Sequence, residues 1–205
     1  MNQKLKKILI NKGLTHVGSC NTAYNGISAV YDIKKSDEKF VLSNGHAGVA
    51  LYVVLEEHGL GNAEELYEKC GTHPDRLASK IIDCSTGSLG QGLPTAIGMA
   101  LANRNKTVYC MISDGECGEG EIWSSLRIID DLEITNLKIL VNCNGWGAYK
   151  KIDLNDLFFR IKMFIFSLIE VKNDKEDILK ALETYQCVFI KNYSELKDHY
   201  EKITA

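Results

Sequence analysis

Apolar residues recur along this chain at two spacings. Helical spacing, with apolar positions every three to four residues, runs over 2–11, 24–31, 46–58, 63–70, 90–103, 120–132, 155–163, 175–185 and 194–202. Between these stretches lie short apolar runs at 107–112, 137–141, 165–169 and 187–190, each of strand length and rich in β-branched or aromatic residues. Strands that are apolar on both faces, alternating with helices, are what a parallel sheet with helices on both sides requires. The pattern therefore predicts one α/β domain over 1–205, a doubly wound and mainly parallel sheet. In such sheets ligands sit outside the carboxyl ends of the strands, so the loops after Ile112 and after Val141 are the first places to look for chemistry.

Composition narrows this picture. The chain has 205 residues, 45% hydrophobic and 25% charged, enough for one sizeable core. Two prolines, no repeat and no low-complexity tract leave no candidate linker. A net charge of −3 gives no footprint for a phosphate backbone, so a nucleic-acid partner is not expected. The seven cysteines are odd in number and include no C-x-x-C pair, which fits neither a disulfide framework nor a zinc site. They are expected to be reduced, packed thiols. The Lys-rich N-terminus has no signal-type apolar stretch, and no apolar run approaches the ~18 residues of a membrane span, so a cytoplasmic location is expected.

The two loops carry suggestive residues. Ser113-Asp114-Gly115-Glu116-Cys117-Gly118-Glu119-Gly120 follows the strand at 107–112, and Asn142-Cys143-Asn144-Gly145-Trp146 follows the strand at 137–141. Thirty residues separate Asp114 from Asn144, room for one helix and one strand, so both side chains can emerge at neighbouring strand ends and share a metal. Carboxylate, amide and carbonyl oxygens are hard ligands suited to Mg²⁺ or Ca²⁺ in company with phosphate oxygens. Gly115, Gly118 and Gly120 let backbone approach a phosphate, and the helix beginning near Gly120 presents unpaired N–H groups. The ordinary alternative is that D-G and N-G here are turns and nothing more.

Further blocks bear on that choice. Asp114-Gly115, Glu119-Gly120 and Trp123 followed by Asn144, together with Phe40-Val-Leu-Ser-Asn-Gly-His46-Ala-Gly48 and Ser85-Thr-Gly87-Ser88-Leu89-Gly-Gln-Gly-Leu93, resemble the thiamine-diphosphate-binding half of the transketolase family. Three blocks in the family's order carry far more weight than one glycine-rich loop. The α subunits of 2-oxo-acid dehydrogenases share the metal motif but usually lack the T-G-S-L-G-Q-G block, and deoxyxylulose-phosphate synthases differ there too.

The resemblance implies thiamine diphosphate held through Mg²⁺ (or Ca²⁺) by Asp114, the Asn144 side chain and the Trp146 carbonyl. It implies Gly115, with Glu116 beside it, against the pyrophosphate, and Gly87, Ser88 and Leu89 along the aminopyrimidine and thiazolium. His46 would reach the diphosphate or the sugar, His73 the donor ketose near C1, and His16 would face substrate. Histidine suits such work because its neutral ring both donates and accepts. Glu119 matches an acid that links two active sites across a dimer interface, or else simply complements a helix dipole. His58 and His199 have no motif support and are expected at the surface, and Cys117 is expected to be a packed bystander.

The chain departs from the family's pattern at Ser113, where glycine is usual, at Cys143 before the metal Asn, and at Trp146, where Ile or Leu is common. None of these removes a metal ligand. Only 61 residues follow Asn144. The glutamate that activates the pyrimidine belongs, in the family, to a second domain absent from these 205 residues. The resemblance thus implies one subunit of a split transketolase, moving a two-carbon ketol unit between sugars or sugar phosphates with a pyrimidine-domain partner, in a dimer of heterodimers. The rival expectations are a non-catalytic cofactor-binding subunit, or a subunit of another thiamine enzyme acting on a 2-oxo acid or making a deoxyketose.

Overall fold

The computed structural model describes residues 1–147 and 150–192, so the helix expected over 194–202 and His199 lie outside the described residues. Five strands form one sheet: β1 (Lys39–Leu42), β2 (Val108–Ser113), β3 (Leu137–Cys143), β4 (Leu168–Lys172) and β5 (Cys187–Lys191). Their spatial order is β1-β2-β3-β5-β4 and every pairing is parallel. The helices are α1 (Gln3–Asn11), α2 (Val17–Ile33), α3 (Gly48–Glu57), α4 (Ala63–Cys70), α5 (Gly92–Ala102), α6 (Gly120–Asp131), α7 (Leu154–Lys162) and α8 (Lys175–Thr184). Short 3-10 turns occupy Gly45–Ala47 and Gly115–Gly118.

The strand order dictates where the helices lie. Steps from β1 to β2, to β3 and on to β4 run in one direction across the sheet, whereas β4 to β5 steps back. Because such crossovers take one hand, α5, α6 and α7 pack on one face and α8 on the other. Two cores result. Val108, Cys110 and Ile112 of β2 meet α5, α6 and α7, while Tyr109 and Met111 of the same strand meet α2, α3 and α8. This alternation at period two explains why β2 is buried at every position. Several helices start at side-chain caps: Asn2, Asn62, Asp153 and Asp174 each accept two backbone N–H groups of the first turn.

Three elements differ from the sequence pattern. α2 begins at Val17 instead of 24, because its first turns are built from Gly18, Ser19, Cys20 and Ala23, small residues that blunt apolar contrast. Further along, Gly26 lets the helix lie close to the sheet: a Cβ added there would meet Met111 Cε at 2.6 Å. β1 is a four-residue edge strand, too short to register as a periodic run. β4 lies at Leu168–Lys172, displaced toward the polar side of the run at 165–169, because an edge strand takes charged residues such as Glu170 and Lys172 where a central one does not.

Candidate active site

β2 and β3 are neighbours with Ile112 opposite Val141 and Ser113 opposite Asn142, so their carboxyl ends finish level. Asp114 follows directly and is 2% exposed. Its Oδ2 accepts the backbone N–H of Asn144 at 3.0 Å and of Gly145 at 2.7 Å, and its Oδ1 accepts that of Gly115 at 3.0 Å. Gly145 turns the chain through φ +80°, and Asn144 Oδ1 accepts the N–H of Trp146 at 2.9 Å. The Trp146 carbonyl oxygen faces Gly115, 3.5 Å from where a Cβ there would sit. Three oxygens of the expected kinds, from Asp114, Asn144 and Trp146, are thereby gathered at one end of the sheet.

Burial pushes the Asp114 carboxyl up to about 7, against the three N–H donors that favour its charged form. A cation beside it would reverse that balance. No group of three or more His, Cys, Asp or Glu suited to a metal exists among the described residues. A cation at this corner would thus take one carboxylate, one amide and one carbonyl, leaving positions for phosphate oxygens and water. That is the donor set Mg²⁺ favours, and the residues fit it.

The other two blocks converge on the same end through glycines that no other residue could replace without displacement. A Cβ on Gly45 would sit 2.8 Å from the Thr86 carbonyl, one on Gly48 2.4 Å from the Thr72 oxygen, and one on Gly92 2.5 Å from Ser43 Cα. The segment carrying His46 is thus pressed onto the loops carrying His73 and Gly87. His73 is exposed, and its Cδ2 lies 3.2 Å from the Cβ position of Gly87. His16 occupies the N-cap of α2 in the left-handed region, φ 60°, with its ring centroid 4.7 Å from that of His46. Ser88 is exposed and Leu89 half-buried on the intervening loop.

The two glutamates part company. Glu119 is exposed at the start of α6, makes no side-chain capping bond, and packs beside Gly90, whose Cβ position is 3.0 Å from Glu119 Cβ. Glu116 is fully buried, and its carboxylate is occupied by protein donors: Ser43 Oγ at 2.7 Å and Gly90 N at 2.9 Å on Oε1, and Ser113 N at 3.0 Å on Oε2. Burial raises its pKa, with those donors acting the other way. His58 is a satisfied residue away from this end, between the Val54 carbonyl and Asp32, and Cys117 is buried, its thiol raised by burial.

Sequence reasoning missed several residues here. Ser43 was part of a motif with no role assigned. Asn44 is fully buried with neither amide atom partnered among the described residues, and Asn142, 1% exposed, leaves its Oδ1 likewise. For Glu116 the legible signal is its S-x-x-E spacing from Ser113, the signature of a capping box, whereas no local spacing marks Ser43, Asn44 or Asn142.

A five-stranded parallel sheet with helices on both faces and a buried carboxylate beyond the carboxyl end of β2 make this a doubly wound α/β domain. The chain belongs to the transketolase family, its residues 32–188 matching the model described as "Transketolase, thiamine diphosphate binding domain". It is 28% identical over 179 residues to a dihydroxyacetone synthase of Pichia angusta, covering 73% of this chain and 25% of that protein. It is 34% identical over 122 residues to the transketolase of Homo sapiens, covering 54% of this chain and 19% of that one. A solved transketolase mutant from Pichia stipitis, in complex with fructose-6-phosphate, superposes with a TM-score of 0.67 at 20% identity, over 85% of this chain and 35% of the other. The chain thus spans a quarter or less of the length of these two curated relatives.

Proposed function

We propose that this chain is the diphosphate- and metal-binding subunit of a split transketolase, which with a pyrimidine-domain partner moves a two-carbon ketol unit from a ketose to an aldose, either of which is a sugar or sugar phosphate. The observation that carries it is the Asp114 carboxylate, buried at the carboxyl end of β2 level with Asn144, in a chain of this family. When bound, thiamine diphosphate supplies the carbanion equivalent that no amino-acid side chain provides. Asp114, the Asn144 amide oxygen and the Trp146 carbonyl hold Mg²⁺ or Ca²⁺, and Gly115 leaves the backbone bare for the diphosphate. Gly87, Ser88 and Leu89 flank the rings. His46 donates to diphosphate or sugar oxygens, His16 faces the substrate beside it, and His73 meets the donor hydroxyls near C1. Glu119 faces the partner, which contributes the pyrimidine-activating glutamate, in a dimer of heterodimers.

Thermal unfolding with Mg²⁺ and thiamine diphosphate tests the site. At ligand ~100 times its dissociation constant, binding adds about 2.7 kcal/mol, roughly 5–10 °C for a chain of this size. EDTA removes the shift, and Asp114→Ala abolishes it. A variant that keeps the full Mg²⁺-dependent shift without this carboxylate overturns the assignment.

A further inference from the structure

Glu116 ties together three segments that are far apart in the chain, and it does so with one carboxylate. Its Oε2 stays inside the metal loop: Ser113 N donates to it at 3.0 Å while Glu116 N donates back to Ser113 Oγ at 3.2 Å. This is the reciprocal pattern of a capping box, spanning Ser113 to Glu116 across the start of the 3-10 turn Gly115–Gly118 that Asp114 caps. Ser113, the residue that stands where the resemblance leads one to expect glycine, is the half of the box that glycine cannot supply. The other oxygen, Oε1, reaches out of the loop to Ser43 Oγ, 73 residues away, and to Gly90 N, 26 residues away. Ser43 heads the segment of His46, and Gly90, at φ +82°, lies on the loop of Ser88 and Leu89.

We propose that Glu116 is a positioning residue that sets the separation between the metal loop, the His46 segment and the Gly87–Gly92 loop, and so sets affinity for the metal–diphosphate cofactor without touching it. Three features support this. The carboxylate is fully buried and every bond it makes is to one of those three segments. The segments otherwise meet by close packing, Gly92 on Ser43 and Gly45 on Thr86, and by two hydrogen bonds at their margins, Thr86 Oγ1 to the Leu42 carbonyl at 2.6 Å and Ser43 N to the Met111 carbonyl at 2.8 Å, neither of which involves Gly90 or the turn Gly115–Gly118. A buried acceptor left short of donors is costly, so the carboxylate draws the segments together. Glutamine at 116 cannot do the same: one end of its amide accepts, but the other presents N–H groups to a donor, either Ser113 N or the Ser43–Gly90 pair.

This inference rests on the cofactor reading above, and the test separates the two. Amide hydrogen exchange is measured on the cofactor-free chain and on Glu116→Gln and Ser43→Ala, and Mg²⁺–thiamine diphosphate affinity is measured by calorimetry on all three and on the double variant. Glu116→Gln is expected to speed exchange around residue 90 and around 43–46 as well as within 113–118, and to weaken cofactor binding tenfold or more. Ser43→Ala, which removes a single bond and keeps the fold, weakens it by a smaller factor. The double variant binds more tightly than the product of the two single losses would give, because Ser43 and Glu116 act on one shared contact. Faster exchange confined to 113–118, or affinity within twofold of the unaltered chain, overturns the proposal. If the unaltered chain binds no cofactor while Glu116→Gln still loosens all three segments, the clamp stands and the cofactor reading fails.

Discussion

His73 stands exposed on the loop before Pro74, its ring edge set against the bare Cα of Gly87. A group so placed can meet a substrate entering over that loop, while Asp114, the proposed cation ligand, lies buried at the end of β2. His73→Ala should therefore lower kcat/KM for a ketose donor at least about tenfold, some 1.4 kcal/mol of transition-state stabilisation, with cofactor affinity nearly unchanged. Calorimetry beside steady-state kinetics checks this, and loss of cofactor with normal donor kinetics would remove His73 from the substrate role. Asp114, Asn144 and His73 were legible in the sequence as candidates because each sits in a local motif. The role of Glu116 was not, since two of its three partners lie 26 and 73 residues away and only the fold brings them near. Its local partner Ser113 could be read, and was read only as a departure.

At the scale of elements, two glycines of α5 make opposite predictions. Gly92 opens the helix with its Cα against Ser43, where an added methyl would lie 2.5 Å from Cα and Cβ alike. Gly98 sits exposed in the same helix with nothing within 4 Å of its Cβ position. Gly92→Ala should cost about 1–3 kcal/mol through overpacking against a backbone that cannot yield, and should disturb the Ser43–Glu116 bond with it. Gly98→Ala should stabilise by up to about 1 kcal/mol, since alanine limits the unfolded chain and suits a helix interior. Chemical denaturation of both variants decides the matter: equal effects would mean that these approaches do not govern the site. The central strands were legible from composition, because burial on both faces demands unbroken apolar runs. Of the edge strands, β1 was not, being four residues long, and β4 was read only in part, its charged end lying beyond the apolar run at 165–169.

The whole molecule places its candidate cation ligands, its histidine pair and its glycine-rich loops at one end of a single sheet. Nothing among the described residues was identified as the glutamate that would hydrogen-bond an aminopyrimidine: Glu116 is saturated by protein donors, and Glu119 stands exposed at the mouth of α6. On the proposed reading this end would hold the diphosphate, with Ser88 and Leu89 flanking the rings, and the pyrimidine-activating glutamate would come from whatever covers it. If a separate chain covers it, the 205-residue polypeptide alone should bind cofactor with Mg²⁺ yet transfer no two-carbon unit, and turnover should appear when a pyrimidine-domain chain is added. Covering the site also excludes water, which strengthens the electrostatic contacts of Asp114 and lowers the apparent dissociation constant of the cofactor in the complex. Two-carbon transfer from a panel of ketoses, measured with and without the partner, reads the first effect, and calorimetry reads the second. Turnover by the polypeptide alone would refute the split arrangement. Tight binding in the complex with no turnover on any ketose or 2-oxo acid would make the subunit a cofactor-binding component without catalysis.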